Sequence, residues 1–130
     1  MKLLLDTCIF LWFISGDKRL TDSLRELICD PHNEVFLSTV SIWESIVKHQ
    51  LGKLPLPMPP AEYLPEQRKR HHISSLPLDE DSVVRLSNLP DFHRDPFDRM
   101  LICQAIQHRL ALVTTDSIIR SYPVNAMPPD

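Results

Sequence analysis

The fold is decided by the stretch KLLLDTCIFLWFISG, which occupies residues 2–16. Its first part, Lys2 to Leu5, is a short apolar run that ends at Asp6, and this pattern predicts a buried strand. The uncharged segment that follows, Thr7 to Ser15, predicts a helix closed by Ser15-Gly16-Asp17. A strand followed at once by a helix indicates the alternating arrangement of an α/β protein.

The same alternation of strands and helices continues along the chain. In order, the patterns predict a helix over 21–29, a strand over 34–38, a helix from 38 or 39 to about 51, an extended connector over 53–60, a helix over 61–72, a short strand over 73–76, a helix over 79–87, a helix from 95 to about 109, a strand over 111–114, one helical turn after Asp116 and an edge strand near Val124. Strands joined through helices require right-handed crossovers and therefore a parallel sheet. We expect a single domain, 1–130, of the α/β class: three layers, α/β/α, around a central, mainly parallel sheet of four to five strands.

Composition excludes several classes of protein. With 43% hydrophobic and 24% charged residues among 130, the chain is long and apolar enough for a real core, which excludes disorder and fibrous repeats. The only glycines, Gly16 and Gly52, cannot form a glycine-rich phosphate loop. The three cysteines are far apart, which argues against a disulfide framework or a thiolate zinc site and fits a reducing cytosol.

Membrane and charge signals are weak. The longest uncharged stretch, over 7–16, has 10 residues and is too short to cross a bilayer, so we expect a cytoplasmic protein with no membrane partner. The formal net charge of −3 gives no sign of simple binding to a nucleic-acid backbone. If several acids are concentrated in one site, the rest of the chain can still carry a net positive charge. The net charge of the whole chain therefore does not decide the function.

Two acids stand directly after predicted strands, where an open α/β sheet places its functional crevice. Asp6 follows the first strand, and Asp116 follows the strand over 111–114. Aspartate is also a preferred N-cap residue, so capping of the following helix is the alternative role for either acid alone.

Three further acids lie in or beside predicted helices. Glu44 lies next to the apolar side of its helix, and an exposed ion pair with Lys48, one turn on, is the alternative. Asp98 lies within an apolar arc of the first turn of its helix, where a carboxylate either completes the helix N-terminus or points into a cleft. Asp95 precedes Pro96 and is therefore predicted to be an N-cap.

Taken together, Asp6, Glu44, Asp98 and Asp116 indicate a metal site. Clustered carboxylates without cysteine or histidine partners are hard oxygen ligands, which suit Mg²⁺ or Mn²⁺ better than zinc. Without an ion, mutual repulsion would raise the pKa of some of these acids. Such ions activate a water molecule and stabilise the leaving oxygen of a phosphodiester, so the spacing suggests phosphodiester hydrolysis.

Four segments, in the same order along the chain, resemble those of PIN-domain nucleases. They are LLDT at 4–7, STVSIWE at 38–44, HRDPFDRMLI at 93–102 and LVTTD at 112–116. The third segment is typical of one bacterial branch, and the resemblance covers nearly the whole chain. The sequence is most similar to the VapC-type toxins of bacterial toxin–antitoxin pairs.

This resemblance implies a Mg²⁺- or Mn²⁺-dependent endoribonuclease with a three-layer α/β fold, which acts on RNA as the toxin of a type II toxin–antitoxin pair. Asp6, Glu44 and Asp98 match the metal-binding acids of the family, and Asp116 matches the fourth, often more distant acid. These four are the expected catalytic and metal-binding residues.

The resemblance also assigns supporting roles. Asp95 is expected to cap its helix and to act from outside the ligand set, and Thr115 is a candidate to hydrogen-bond a water molecule of the metal site. Cys8 departs from the family, which often has histidine or asparagine at this position, and it therefore alters the rim of the site. The bulky pair Trp12-Phe13 is a second departure, away from the acids.

Several basic residues are candidates to contact RNA. Arg99 is the best candidate near the metal site, with an ion pair to Asp95 as the alternative. Arg94 is a second candidate and, like His93, either contacts substrate or lines the turn. The basic run over 68–72 is suited to gripping RNA phosphates, or it is a solvated helix end whose charge complements the helix dipole.

Apolar residues exceed what the first and third helices need for a core. They are either plain core or, as the resemblance implies, part of a homodimer interface or of a groove for an antitoxin segment; the set is Ile9, Phe10, Trp12, Phe13, Trp43, Ile46 and Val47. The expected partners are thus RNA, a cognate antitoxin protein and a second copy of the chain, with DNA reached only indirectly through the antitoxin.

Other functions fit less well or stay open. A phosphatase of the haloacid-dehalogenase type needs a second aspartate two positions after the first, where Cys8 stands, and a lysine late in the chain, whereas the last lysine here is Lys69. A receiver-type signalling domain fails for similar reasons. A catalytically silent PIN-fold protein-interaction module remains the alternative function.

Overall fold

The computed structural model describes residues 1–129 and is built around a parallel sheet. Within those residues the sheet has five strands in the order β3-β2-β1-β4-β5, and every neighbouring pair is parallel. The strands are β1 (Lys2–Leu5), β2 (Glu34–Ser38), β3 (Ser74–Leu76), β4 (Ala111–Val113) and β5 (Ala126–Met127). The predicted α/β class and parallel sheet are confirmed.

Helices connect the strands and cover both faces of the sheet. They are α1 (Thr7–Ser15), α2 (Asp22–Cys29), α3 (Thr39–Gln50), α4 (Pro60–Arg70), α5 (Glu80–Arg85) and α6 (Pro96–His108), with 3₁₀ turns at Leu86–Asn88 and Ile119–Ser121. Polar side chains fix several starts: the Thr21 hydroxyl accepts the Leu24 N–H, and the Ser38 hydroxyl accepts the Val40 N–H. No helix within residues 1–129 combines the length and the apolar character needed to span a membrane.

The central strand β1 separates two apolar cores because its side chains alternate between the faces of the sheet. Leu3 and Leu5 pack with residues of α1, α2 and α4 on one face, and Leu4 packs with residues of α6 on the other. All three leucines are fully buried. Burial of each leucine contributes about 1.5–3 kcal/mol to folding, so this short run anchors all three layers.

Most predicted elements match the structure, and two need correction. The edge strand is Ala126–Met127 and does not include Val124, because pairing with β4 begins only when Leu112 N–H donates to Asn125 O at 2.7 Å. The helix predicted over 79–87 ends as an α-helix at Arg85 and tightens into a 3₁₀ turn. The single helical turn predicted after Asp116 is confirmed, as a 3₁₀ turn at Ile119–Ser121.

The topology brings four chain segments to one edge of the sheet. In a parallel sheet all carboxyl ends lie on the same side, so the residues after β1, β2 and β4 are neighbours there. Helices α1 and α3 begin at this edge because they follow β1 and β2. Helix α6 leads into β4 through its other end, so its N-terminus reaches the same edge.

Candidate active site

The candidate active site is a cleft of about 190 Å³ at this edge, and four elements supply its acids. Asp6 follows β1, Glu44 lies on α3, Asp98 lies on the first turn of α6 and Asp116 follows β4. All four acids line the same cleft. The structure therefore brings together the carboxylates that the sequence singled out.

Asp6 is buried and holds the start of α1. Its Oδ1 accepts the Ile9 N–H at 2.8 Å, so the capping role is real, and the same side chain lines the cleft. Burial raises the pKa of Asp6 to about 6, against the opposing effect of hydrogen bonds from the Thr114 side chain and from Ile9. The hydrogen bonds to Asp6 therefore offset only part of the free-energy cost of burying its charge.

Glu44 is more buried than the sequence suggested. Glu44 does form the ion pair with Lys48, one turn on. Only 3% of Glu44 is exposed, however, so the alternative prediction of an exposed ion pair is wrong. Its Oε1 accepts the Thr7 hydroxyl at 2.6 Å, and that hydroxyl shares a second hydrogen bond, of 2.9 Å, with Ser41 Oγ. A buried carboxylate needs such partners, because an unpaired one costs several kcal/mol, in the range of about 3–5.

Asp95 and Asp98 lie together at the start of α6. Asp95 Oδ1 accepts the Phe97 N–H at 2.8 Å and the Asp98 N–H at 3.4 Å, which confirms Asp95 as the N-cap. Burial, followed by the charges of Asp95 and Glu44, raises the pKa of Asp98 to about 7. Glu44, Asp95 and Asp98 each offer an oxygen within 4.8 Å of the others.

Asp116 joins the site from the loop after β4. Its Oδ1 accepts the Ile118 N–H at 2.8 Å and the Ile119 N–H at 3.3 Å, and its Oδ2 lies 3.1 Å from His93 Nε2. Burial would raise the pKa of Asp116, but these hydrogen bonds, led by the one from His93, outweigh it and lower the pKa below its usual value. Asp116 thus stays ionised at neutral pH, whereas Asp98, with a pKa of about 7, is partly protonated there.

The donor set fits a divalent cation. Two overlapping groups of donor atoms, each within 4.8 Å, share Asp98: one with Glu44 and Asp95, the other with His93 and Asp116. The carboxylate oxygens of both groups suit Mg²⁺ or Mn²⁺, and the second group adds the imidazole nitrogen of His93. Burial, with a smaller effect of neighbouring carboxylates, raises the pKa values of Asp6 and Asp98, and a bound cation would favour their ionised forms.

The sequence matches the PIN domain family over residues 3–125. The chain belongs to the PIN-domain family. This PIN domain is 26% identical to Ribonuclease VapC22 of Mycobacterium tuberculosis over 120 residues, which are 92% of this chain and 90% of that protein. It is 40% identical to Ribonuclease VapC16 of the same organism over 55 residues, which are 42% of this chain and only 39% of that protein.

A solved structure has the same fold as this PIN domain. It is VapBC2 from Rickettsia felis, bound to a DNA fragment from their promoter, with a TM-score of 0.72, 16% identity and coverage of 97% of both chains. At this identity the likeness establishes the fold alone, and it agrees with the three-layer α/β/α arrangement of the PIN domain described above.

Arg99 of this PIN domain does not form the ion pair with Asp95 that was the alternative to an RNA contact. Its ion pair is with Asp91, at 3.3 Å, and not with Asp95. The same guanidinium nitrogen also donates to three oxygens of the loop before α6 and of Tyr122. Arg99 is thus engaged in holding that loop, and its role as an RNA contact stays a prediction.

The other predicted site residues lie at the rim or elsewhere. Thr115 is exposed and lines the cleft, and Cys8 lies at the rim of the cleft. Arg94, which precedes Asp95 in sequence, is exposed. The roles of these three residues stay predictions. The basic run over 68–72 precedes β3 and so lies at the opposite edge of the sheet, where Arg68 Nη1 donates to Ile73 O at 2.7 Å.

The apolar surplus divides between core and surface. Ile9, Phe10 and Phe13 belong to the core, and Trp12 packs against it. Trp12 also lines the acidic cleft, so the expectation that it lies away from the acids is wrong. Trp43 is 56% exposed and meets the ring of Phe97 edge-on, with centroids 4.8 Å apart. Part of the set is therefore plain core, and the exposed part stays available to partners.

Sequence reasoning gave no role to Thr7 or Thr114 and left His93 open between a substrate contact and a place in the turn. Thr7 and the buried Thr114 directly hydrogen-bond acids, and His93 lies between two of them. Thr7 adjoins Asp6 in sequence, and His93 stands two residues before the helix cap. Both positions were signals for a role at the site, but neither pattern says which carboxylate a side chain contacts.

Proposed function

We propose that this PIN domain is a Mg²⁺- or Mn²⁺-dependent endoribonuclease and the toxin of a toxin–antitoxin pair. The observation that carries the proposal is the convergence of Asp6, Glu44, Asp98 and Asp116 in one cleft at the carboxyl ends of the strands. The names of the relatives, both ribonucleases, support RNA as the substrate. No specific observation favours the catalytically silent alternative, because the full set of expected acids is present.

The same four acids are the proposed metal ligands. When bound, a divalent cation would supply activation of a water nucleophile and stabilisation of the charge on the leaving oxygen of a phosphodiester. Asp95 supports this set from outside by capping α6 and so fixing the backbone of Asp98. Mg²⁺ and Mn²⁺ both match the oxygen donors, and we propose either as the cofactor.

The protein orients its acids before any cation binds. Thr7 and Lys48 each contact a different oxygen of Glu44, which fixes the direction of that carboxylate. The raised pKa of Asp98, about 7, means that cation binding near neutral pH displaces a proton from this side chain. Such orientation matters because misplacement of a reacting group by about 1 Å can cost on the order of 10²-fold in rate.

RNA must approach a cleft that is acidic and narrow. Because RNA phosphates and the carboxylates of the cleft are both negatively charged, a bound cation and nearby basic groups have to offset their repulsion. Lys48 lines the cleft, and Arg94 is exposed next to the cap of α6, so both are candidates to contact the RNA backbone. Thr115, exposed on the rim, is a candidate to hydrogen-bond a water molecule there.

The proposed partner is a cognate antitoxin protein. The R. felis neighbour is a VapBC complex on promoter DNA, and we propose by analogy that DNA is reached only through the antitoxin. An apolar groove of about 360 Å³ beside α1 is suited to an antitoxin segment; it is lined by Leu11, Trp12, Ile14, Tyr63 and the stretch 54–57. A homodimer and a cytoplasmic location complete this proposal.

The test is metal-dependent cleavage of a panel of tRNAs and structured RNAs by protein freed of any copurified partner. Wild type with Mg²⁺ or Mn²⁺ is compared with Asp98→Asn and with a chelator control. Asp22→Asn is the matched control variant, since Asp22 is an exposed carboxylate on α2 outside the cleft. We expect cleavage by wild type and Asp22→Asn only.

Each outcome has a clear meaning. Loss of cleavage in Asp98→Asn and with chelator, but not in Asp22→Asn, supports the metal-dependent nuclease. Absence of both cleavage and metal binding in calorimetry would overturn it and favour the protein-interaction module. Cleavage that persists in chelator would overturn the role assigned to the cation.

A further inference from the structure

His93 joins two acids that come from different parts of the chain. Its Nε2 lies 3.2 Å from Asp98 Oδ2 on α6 and 3.1 Å from Asp116 Oδ2 on the loop after β4. Only 13% of the imidazole is exposed, so water is largely excluded from these contacts. The two carboxylates belong to the same candidate site but are 18 residues apart in sequence. His93 is the bridge between them.

The backbone fixes which nitrogen of this imidazole carries the proton. The Asp95 N–H donates to His93 Nδ1 at 3.1 Å, so Nδ1 presents its lone pair. In a neutral imidazole the proton is then on Nε2, which faces the two carboxylate oxygens as a donor. A nitrogen that carries a proton cannot ligate a metal, so this geometry makes His93 a donor to the acids.

The loop that carries His93 is itself held in place. The hydroxyl of Tyr122, which is buried, accepts the backbone N–H of Phe92 at 2.9 Å and that of His93 at 2.7 Å. Arg99 Nη1 donates to Pro90 O at 3.0 Å and to His93 O at 3.3 Å. Because donors and acceptors on both sides of His93 are bound, its ring has little freedom to turn away from the acids.

Asp116 lies on the least regular backbone of the four acids, and backbone N–H groups hold its Oδ1 while its Oδ2 faces His93. Asp98 is placed by a capped helix and Asp6 by the end of a central strand, whereas Asp116 lies on a loop that continues into a single 3₁₀ turn. We propose that His93 is a positioning residue, which holds Asp116 beside Asp98 through Nε2–H and so shapes the cation site without ligating the cation. This inference rests on the proposed function and extends it to a residue outside the acid set.

The first measurement is the tautomer of His93 in the intact protein, read from ¹⁵N NMR of the imidazole without metal and with Mg²⁺. We expect the Nε2–H form in both conditions. The Nδ1–H form, or loss of the Nε2 proton when Mg²⁺ is added, would make His93 a ligand and overturn the proposal. This readout is independent of RNA cleavage.

The second measurement is Mg²⁺ affinity by calorimetry. Loss of an outer partner of metal ligands typically weakens metal binding 10–100-fold, and we expect His93→Ala to fall in about that range. His93→Gln should recover part of the loss, because its amide N–H₂ reaches a similar position. His32→Ala is the matched control, since the side chain of His32 is 92% exposed and outside the cleft.

The decisive comparison repeats His93→Ala in an Asp116→Ala background. If His93 acts mainly by holding Asp116, its removal there should weaken Mg²⁺ binding by less than about three-fold, because coupled residues are non-additive. An equal loss in both backgrounds would overturn the proposal, and circular dichroism confirms that each variant is folded. A wild type that binds Mg²⁺ but leaves RNA intact would refute the proposed function alone and not this assignment.

Discussion

Asp98→Asn should make the metal-free protein more stable while it abolishes metal-dependent activity. Asp98 lies 19% exposed among Glu44, Asp95 and His93, and its ionised form is disfavoured by burial and by the neighbouring carboxylates. Asparagine has nearly the same shape and keeps an oxygen that accepts the His93 Nε2–H. The substitution therefore removes the charge and leaves the packing.

The size of this effect follows from the pKa of Asp98. A rise from 3.8 to about 7 corresponds to about 4 kcal/mol at most against the ionised form in the folded state. Relaxation and residual solvent contact reduce this, and we expect a gain of about 2 kcal/mol in the free energy of unfolding at pH 8. For a domain of this size that gain raises Tm by roughly 8 °C.

The gain must depend on pH with a definite sign. Near pH 3 Asp98 is protonated in both folded and unfolded states, so the substitution changes little. As pH rises from about 4 to 7, the unfolded chain releases this proton while the folded state keeps it, and wild type loses stability relative to the variant. Above about pH 7 the difference is complete.

Thermal unfolding of both proteins in chelator from pH 4 to 8 measures this difference. Asp22→Asn serves as control, since it removes an exposed carboxylate at the start of α2 and should not stabilise the protein at any pH. A Tm difference that stays constant over the pH range, or a variant less stable than wild type at pH 8, would refute the reasoning.

Three further results are expected. Mg²⁺ at 100 times its Kd should raise the free energy of unfolding of wild type by about 2.7 kcal/mol, and calorimetric scans should show a much smaller gain for Asp98→Asn; equal gains would place the cation elsewhere. Tyr122→Phe leaves the N–H groups of Phe92 and His93 without their acceptor, so urea titration should show a loss of about 1–3 kcal/mol, and a change below ~0.5 kcal/mol would contradict the clamp. Leu4→Ala opens a cavity beside α6 in the fully buried centre of the sheet and should cost about 2–5 kcal/mol in the same titration, whereas a neutral result would mean that the core collapses around it.

Local patterns gave the elements of this fold because each signal acts within a few residues. The run of leucines at 3–5 forms a strand, Gly16 ends α1 in the left-handed conformation, and Asp95 caps α6. Errors arose where the signal was tertiary. Propensity predicts an edge strand that includes Val124, because it cannot tell where the chain first meets β4; that pairing starts at Asn125.

The acids of the site could be chosen from sequence for a topological reason. Residues that follow parallel strands meet at one edge of the sheet, so the sequence alone predicts that Asp6 and Asp116 are neighbours. Glu44 and Asp98 needed helical periodicity as well as the resemblance to PIN domains. The burial and the charge states of these acids depend on packing. For the Glu44–Lys48 pair, helical spacing predicts the contact correctly but not the burial of Glu44.

The sequence by itself determined the α/β class, the order of the elements, the caps and the acids that reach the cleft, because these follow from short-range periodicity and chain topology. Only the tertiary structure decided that Arg99 clamps a loop and that His93 stands between Asp98 and Asp116. Such contacts join residues far apart in the chain, and their geometry depends on ångström-scale packing that no local pattern contains.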